Sequence, residues 1–249
     1  MSSVRDLGLG LLLVLCVSGA NPVQAQDAGN GFLFRAPVGE ISFRGGFDHA
    51  SAGSDVFAFT VKELTLNQRD FSSLTFATDV DYVLTPRLDA RFSFAVSQST
   101  TPSSFRDFVD NNRHEIQQTT GFIRVPLTAS IKAYLSNPGR SVGHFAWIPS
   151  RYAPYVGAGG GAMWYRFRQQ GDFIDFVTTK VFPDLFDSEG WTPTMQAFVG
   201  TDVSLNPRFA VTAEGRYQWA RSRLSTDFSQ FQPIDLSGFA LTAGFSIRY

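Results

Sequence analysis

Three histidines, one cysteine and a spread of opposite charges are the residues in this chain with chemistry to offer. Asp48-His49-x-Ser51 gathers the three residue types of a hydrolytic relay, and His114-Glu115 sets a base beside a carboxylate. A relay needs its members within hydrogen-bond reach of one another. Neighbours on an extended chain point to opposite sides, so Asp48 and His49 diverge. His144, the remaining histidine, stands in a connection of its own. The run Tyr155-Val156-Gly157-Ala158-Gly159-Gly160-Gly161 lacks the following Lys-Ser/Thr of a phosphate-binding loop. We therefore assign no catalytic, cofactor-binding or metal-binding residue, and no cofactor. A hydrolase would need His49 or His114 within reach of a nucleophile.

The charges are more informative. Glu40, Arg44, Asp79, Asp81, Arg91, Arg124, Arg166, Glu214 and Arg216 all fall on the polar face of alternating segments. Turned into a narrow lumen, they would pair into an ion and hydrogen-bond network, with Arg44, Asp79, Asp81 and Glu214 at its centre. The alternative is a thin polar pore lined by the same groups. A second set sits in the connections, where Asp-Phe steps recur at 70–71, 107–108, 172–173, 175–176 and 227–228. Phe71, Phe108, Phe173 and Phe228 would close an apolar cap over a barrel mouth while the Asp residues stay wet. Asp and Phe are common here, so chance or simple placement in an aromatic girdle is the plainer reading. In the first long connection Ser54 would cap a short helix with Asp55 in its first turn; an extended protrusion fits nearly as well. Phe57, Phe59, Val61 and Leu64 are too apolar there for a purely solvated loop.

The elements that must hold these residues are strands. Period-two alternation is weak evidence singly, but here it recurs along the chain. Val38 to Asp48 sets Ile41, Phe43 and Phe47 against Glu40, Ser42, Arg44 and Asp48. Ser73 to Leu84, Arg87 to Ser97 and Thr119 to Leu135 repeat the pattern, with Pro126 in the last calling for a bulge. Tyr152 to Phe167 is glycine-rich; we place Tyr155, Met163, Tyr165 and Phe167 outward. Thr194 to Leu205, Phe209 to Ala220 and Ser237 to Tyr249 complete eight segments. A strand tilted across a bilayer needs about 9–11 residues, and each segment is long enough.

The connections are asymmetric. Thr85-Pro86-Arg87 and Asn206-Pro207-Arg208 are tight turns with Pro where its fixed φ is accepted. The alternate connections, 49–72, 98–118, 168–193 and 221–236, are long. Short turns on one side and long loops on the other is the arrangement of outer-membrane barrels, the short turns being periplasmic. The connection 136–151 departs from it and by strand parity is periplasmic. Alternation alone would also suit a soluble barrel with its Phe-rich face turned inward around a ligand. In lipid, the strands must close on themselves to satisfy every backbone group.

Composition agrees. The chain has 25 Phe against 3 Met, an aromatic richness that suits strands facing lipid. Arg5 followed by the apolar run Leu7 to Val17 and by Val23-Gln24-Ala25 reads as a signal peptide, 1–25, cleaved near Ala25, leaving 26–249 as the barrel domain. That run is too short for a spanning helix, which takes roughly 20 residues. Leu13-Val14-Leu15-Cys16 resembles a lipoprotein box, but Leu15 stands where a small residue belongs. Cleavage at Ala25 removes Cys16, and with it any disulfide or thiolate site. The net charge of −1 carries no basic excess, so no nucleic-acid partner is expected.

The ending Phe245-Ser246-Ile247-Arg248-Tyr249, with the signal and the eight alternating segments before it, resembles the small outer-membrane β-barrel superfamily of OmpA-, OmpX- and OmpW-like proteins. The resemblance implies an all-β, eight-stranded, antiparallel up-and-down transmembrane barrel with long extracellular loops, in the Gram-negative outer membrane. It implies that Phe245, Ile247 and Tyr249 form the signal read by the barrel-assembly machinery; members usually end in Phe, so Tyr249 is a departure. Expected partners are outer-membrane lipid, that machinery and an extracellular ligand, with the barrel a monomer. Function is read as non-enzymatic, either stabilising the envelope or presenting the loops. A small-solute channel of OmpW type and an outer-membrane lipid hydrolase are the alternatives.

Overall fold

The computed structural model describes residues 31–109, 113–143, 146–175 and 180–249. The proposed signal, Cys16, His144 and Phe176 lie outside the described residues. Eight long strands follow in order: β1 Gly39–Ala50, β2 Ser73–Thr85, β3 Leu88–Val109, β4 Glu115–Tyr134, β5 Tyr152–Ile174, β6 Val181–Ser204, β7 Phe209–Ser222 and β8 Gly238–Arg248. Each pairs antiparallel with the next, and β8 returns to pair with β1. The ring is therefore closed, and within it each strand is paired on both sides. At the seam Ile41 faces Ile247 and Phe43 faces Phe245. Beyond it the Tyr249 N–H donates to Gly39 O at 3.1 Å, and the Val38 N–H donates to Tyr249 O at 2.8 Å.

The tight turns are held by their own side chains. Thr85 Oγ1 accepts from the Leu88 N–H at 3.1 Å. Asn206 Oδ1 accepts from the N–H groups of Arg208 and Phe209 at 2.9 and 2.8 Å. Such local bonds are why Thr and Asn serve in turns. At the same end, the connection after β4 forms a short hairpin of Gly139–Val142 and Ala146–Pro149. Leu33 and Trp147 exchange backbone hydrogen bonds at 2.9 and 2.7 Å, laying the segment before β1 beside that hairpin.

The wall is inverted relative to a soluble protein. Phe76, Phe92 and Met195 are 69%, 62% and 68% exposed, whereas Asp79, Asp81 and Lys132 are fully buried. A continuous apolar exterior around a closed ring is a surface for lipid. The soluble alternative, which needs the Phe-rich face inside, is excluded by this orientation.

Four expectations are corrected. β3, β4, β5 and β6 run to 22, 20, 23 and 24 residues, so much of 98–118 and 168–193 is paired strand rising above the barrel rather than loop. Pro126 makes no bulge: the register passes from Phe94–Leu127 to Ser97–Arg124 without a shift, and Pro126 faces Met163 across β5. The face of β5 is reversed. Tyr155, Met163, Tyr165 and Phe167 point inward and are buried, while Arg166 lies on the outer wall. The reason is steric. Gly157 and Gly200 leave room for rings opposite them; a Cβ at Gly157 would sit 2.2 Å from Phe198, and one at Gly200 2.5 Å from Tyr155. Finally, Asp55–Glu63 is a helix, α1, but Ser54 makes no side-chain cap to it. Ser54 Oγ accepts instead from the Asp235 N–H at 3.1 Å.

Candidate functional site

The inward polar positions of β1, β2, β3 and β7 converge near mid-barrel. Arg91 makes a bidentate pair with Asp81, its Nε and Nη2 lying 2.6 and 2.7 Å from the two carboxylate oxygens. Its Nη1 reaches Glu214 Oε2 at 2.6 Å. Arg44 donates to Asp79 and lies 2.6 Å from Glu214 Oε1. Arg216 bridges Glu214 and Asp79 at 2.8 and 3.2 Å. Ser93 Oγ donates to Asp79 at 2.6 Å and Tyr155 OH donates to Glu214 at 3.0 Å. Phe198 closes one side, with the guanidinium carbons of Arg91 and Arg216 at 5.0 and 5.5 Å from its ring. The arrangement satisfies charges that would be costly to bury alone.

Nearer the short turns the network continues through residues outside the predicted set. Lys132, wholly buried, donates to Asp81 at 3.1 Å and Asp202 at 3.0 Å. Its ammonium lies 4.3 Å from the centre of the Tyr155 ring. Tyr134 OH donates to Asp202 at 2.9 Å, and Arg248 Nε donates to Glu40 at 3.2 Å. Lys132, Asp202 and Arg248 share the inward parity of their strands, so the alternation that marked the others also marked them.

Two predicted members stand apart. Arg124 is inward but higher, 2.8 Å from Asp48 Oδ2 and donating to Leu236 O and Ser237 O at 3.1 and 3.3 Å. Arg166 does not face the lumen; with Arg168 it pairs on the outer wall with Asp187. Its reversed placement follows from the reversed face of β5.

Above Arg124 the interior becomes apolar. Phe57 of α1 packs edge-to-face on Phe71, Phe122 and Phe167, with ring centres 4.6, 5.3 and 5.5 Å apart. Phe228 meets Phe167 edge-to-face at 5.5 Å. Phe71 and Phe228 are buried in the same cluster, Phe108 is half-buried against it, and Phe173 is buried with its ring 4.6 Å from that of Phe186. The start of α1 is tied to the last loop, since Asp55 accepts from the Gln232 N–H at 2.9 Å. Beside the charges, a space of about 20 Å³ is lined by Arg44, Asp48, Thr75, Arg216, Gln218 and Thr242 among others. That is room for about one water.

No protein-family model matches the chain, and no curated protein matches it in sequence. Among solved structures it is similar to Neisserial surface protein A (12% identity over 88% of this chain and 98% of that one, TM-score 0.40). It is also similar to the attachment invasion locus protein Ail of Yersinia pestis (14%, 85% and 99%, TM-score 0.42). The outer membrane protein AlkL, solved in lipid bilayers, matches at 14% identity over 93% of this chain and 96% of that one, with a TM-score of 0.37.

His49 is exposed on the outer wall while Asp48 points inward, so the two do diverge. His49 Nδ1 does meet a hydroxyl, Ser72 Oγ at 3.0 Å. Ser72 Oγ also accepts from the Ala50 N–H at 3.2 Å. Among the described residues no carboxylate or amide bonds the other ring nitrogen of His49, so the pair lacks the orienting member a relay requires. No cluster of metal-ligating side chains occurs among the described residues. The terminal residues Phe245 and Tyr249 are exposed on the outer wall and Ile247 is half-buried beside them.

Proposed function

We propose that this chain is a closed, non-conducting, monomeric barrel of the outer membrane, without catalytic activity, that strengthens the envelope and presents its long loops outward. One observation carries the reading. An ion-paired floor and an aromatic cap are stacked in the same lumen, and the space beside Arg44 and Arg216 of the floor holds about one water. A bilayer-facing exterior supports the location, and eight strands enclose an interior that side chains can fill. Phe245, Ile247 and Tyr249 on the sealing strand are the residues we assign to recognition by the assembly machinery. The test is swelling of vesicles loaded with the refolded chain. With arabinose or glycine outside, we expect the rate of protein-free vesicles; swelling that scales with protein content sinks the closed-barrel reading.

A further inference from the structure

The aromatic cap is not filled throughout. Between α1, the β5–β6 extension and the last loop lies a pocket of about 180 Å³. Six of the rings that line it form a chain, in the order Phe182, Phe173, Phe186, Phe228, Phe231 and Phe59. Each ring centre lies between 4.6 and 6.4 Å from the next, and neighbours stand tilted or edge-to-face. Rings held in this way by one another make a wall of phenyl surface rather than a set of separate side chains.

The charged groups at this wall are of one sign. Glu63 and Asp227 line the pocket, and among the described residues no lysine or arginine does. Lys62 pairs with Glu63 at 3.0 Å, but its side chain is 80% exposed. A pair so open to water leaves the carboxylate's charge largely uncancelled. Asp227 accepts from the Asp187 N–H at 3.1 Å, a neutral donor that leaves its charge in place. Solvent reaches both groups, since the Glu63 side chain is 16% exposed and Asp227 is exposed.

Rings and carboxylates favour the same occupant. The face of a phenyl ring carries negative potential and attracts a cation. A primary ammonium brings three N–H donors, which phenyl walls satisfy poorly. Thr60 Oγ1 is already engaged, donating to Val56 O at 2.7 Å and accepting from Gln169 Nε2 at 3.2 Å. A quaternary ammonium has no donor to satisfy and wears its charge on methyl groups. A dry cavity of about 150 Å³ holds one benzene, and a trimethylammonium head has about that bulk.

We propose that this pocket binds a quaternary ammonium, a trimethylammonium head of the choline type. Its methyl groups lie against the chain of phenyl rings, and its charge is drawn by Glu63 and Asp227. The site is built from the cap alone, so it stands whether or not the lumen beneath conducts.

The experiment uses the refolded barrel in octyl glucoside micelles, which carry neither charge nor choline. Binding is read by the methyl NMR signals of Val56, which lines the pocket. The probes are choline, its uncharged carbon isostere 3,3-dimethylbutan-1-ol, ethanolamine and phosphocholine. Choline should bind saturably and about ten-fold tighter than the isostere, the worth of a cation among desolvated rings. Ethanolamine should bind more weakly than choline. Glu63→Gln with Asp227→Asn should narrow the gap between choline and the isostere, and Ile174→Trp, which fills the space, should abolish both. Phosphocholine separates two sources of the same head. Binding as tight as choline supports a head borne on phosphate, and weaker binding supports a free alkylammonium. Heat-dependent gel mobility checks that the variants fold; if the double variant does not, the choline to isostere ratio of the unaltered protein decides. Equal affinity for choline and the isostere overturns the proposal. So does tighter binding of ethanolamine, or choline binding that survives a folded Ile174→Trp.

Discussion

Glu214 is the residue on which the floor turns. It takes the guanidinium groups of Arg44, Arg91 and Arg216 and the hydroxyl of Tyr155. Glu214→Gln keeps the shape and removes the charge, leaving those cations with Asp79 and Asp81 alone. Breaking a buried pair in this way costs about 3–5 kcal/mol, which urea unfolding in vesicles should register as a lowered midpoint. Arg166→Ala is the contrasting case. Its pairs with Asp187 are partly exposed, and such pairs are worth about 1 kcal/mol or less. A loss comparable to that of Glu214→Gln would place Arg166 inside after all. At His49 and Ser72 the chemistry expected is none. Hydrolysis of a p-nitrophenyl ester or a phospholipid by the refolded barrel should be no faster with Ser72 than with Ser72→Ala; a Ser72-dependent rate would revive the hydrolase.

The strands were legible wherever charge marked the lumen face, as it does not in β5, whose Arg166 and Arg168 lie on the outer wall. In β2 the series Asp79, Asp81 against Val80, Tyr82 leaves one orientation that buries apolar surface in lipid and hides charge. In β5 that contrast fails, because Gly157, Gly159 and Gly161 mark neither face and the large residues fill the lumen beside Phe198. Tyr155 and Tyr165 tolerate burial because each hydroxyl finds an acceptor, Glu214 at 3.0 Å and Arg223 O at 2.8 Å. The network residues Lys132, Asp202 and Arg248 were visible as inward polar positions, but which charges touch depends on register around the ring, which one strand's pattern does not contain. The loops carried apolarity without periodicity, so α1 and a protrusion read alike. Its seating now gives a prediction. Phe57→Ala removes the ring that joins Phe71, Phe122 and Phe167, at a cost of about 3–5 kcal/mol to the cap. Trypsin should then cut faster after exposed Arg69, while the barrel stays sealed by the floor beneath.

For the molecule as a whole, the ring of hydrogen bonds and the apolar exterior place the chain in a bilayer, and the interior decides what it does there. The lumen is stopped twice, by paired charges and by packed rings, and on that ground we propose the outer surface and its loops as the working part. The measurement that bears most directly on this is single-channel recording of the refolded protein in a planar bilayer. The account predicts a silent barrel, with no stable openings above the lipid baseline although the protein is folded by its heat-dependent mobility. Stable unitary openings, with an ion selectivity that changes in Glu214→Gln, would contradict it and make the inward Arg and Asp residues the lining of a pore.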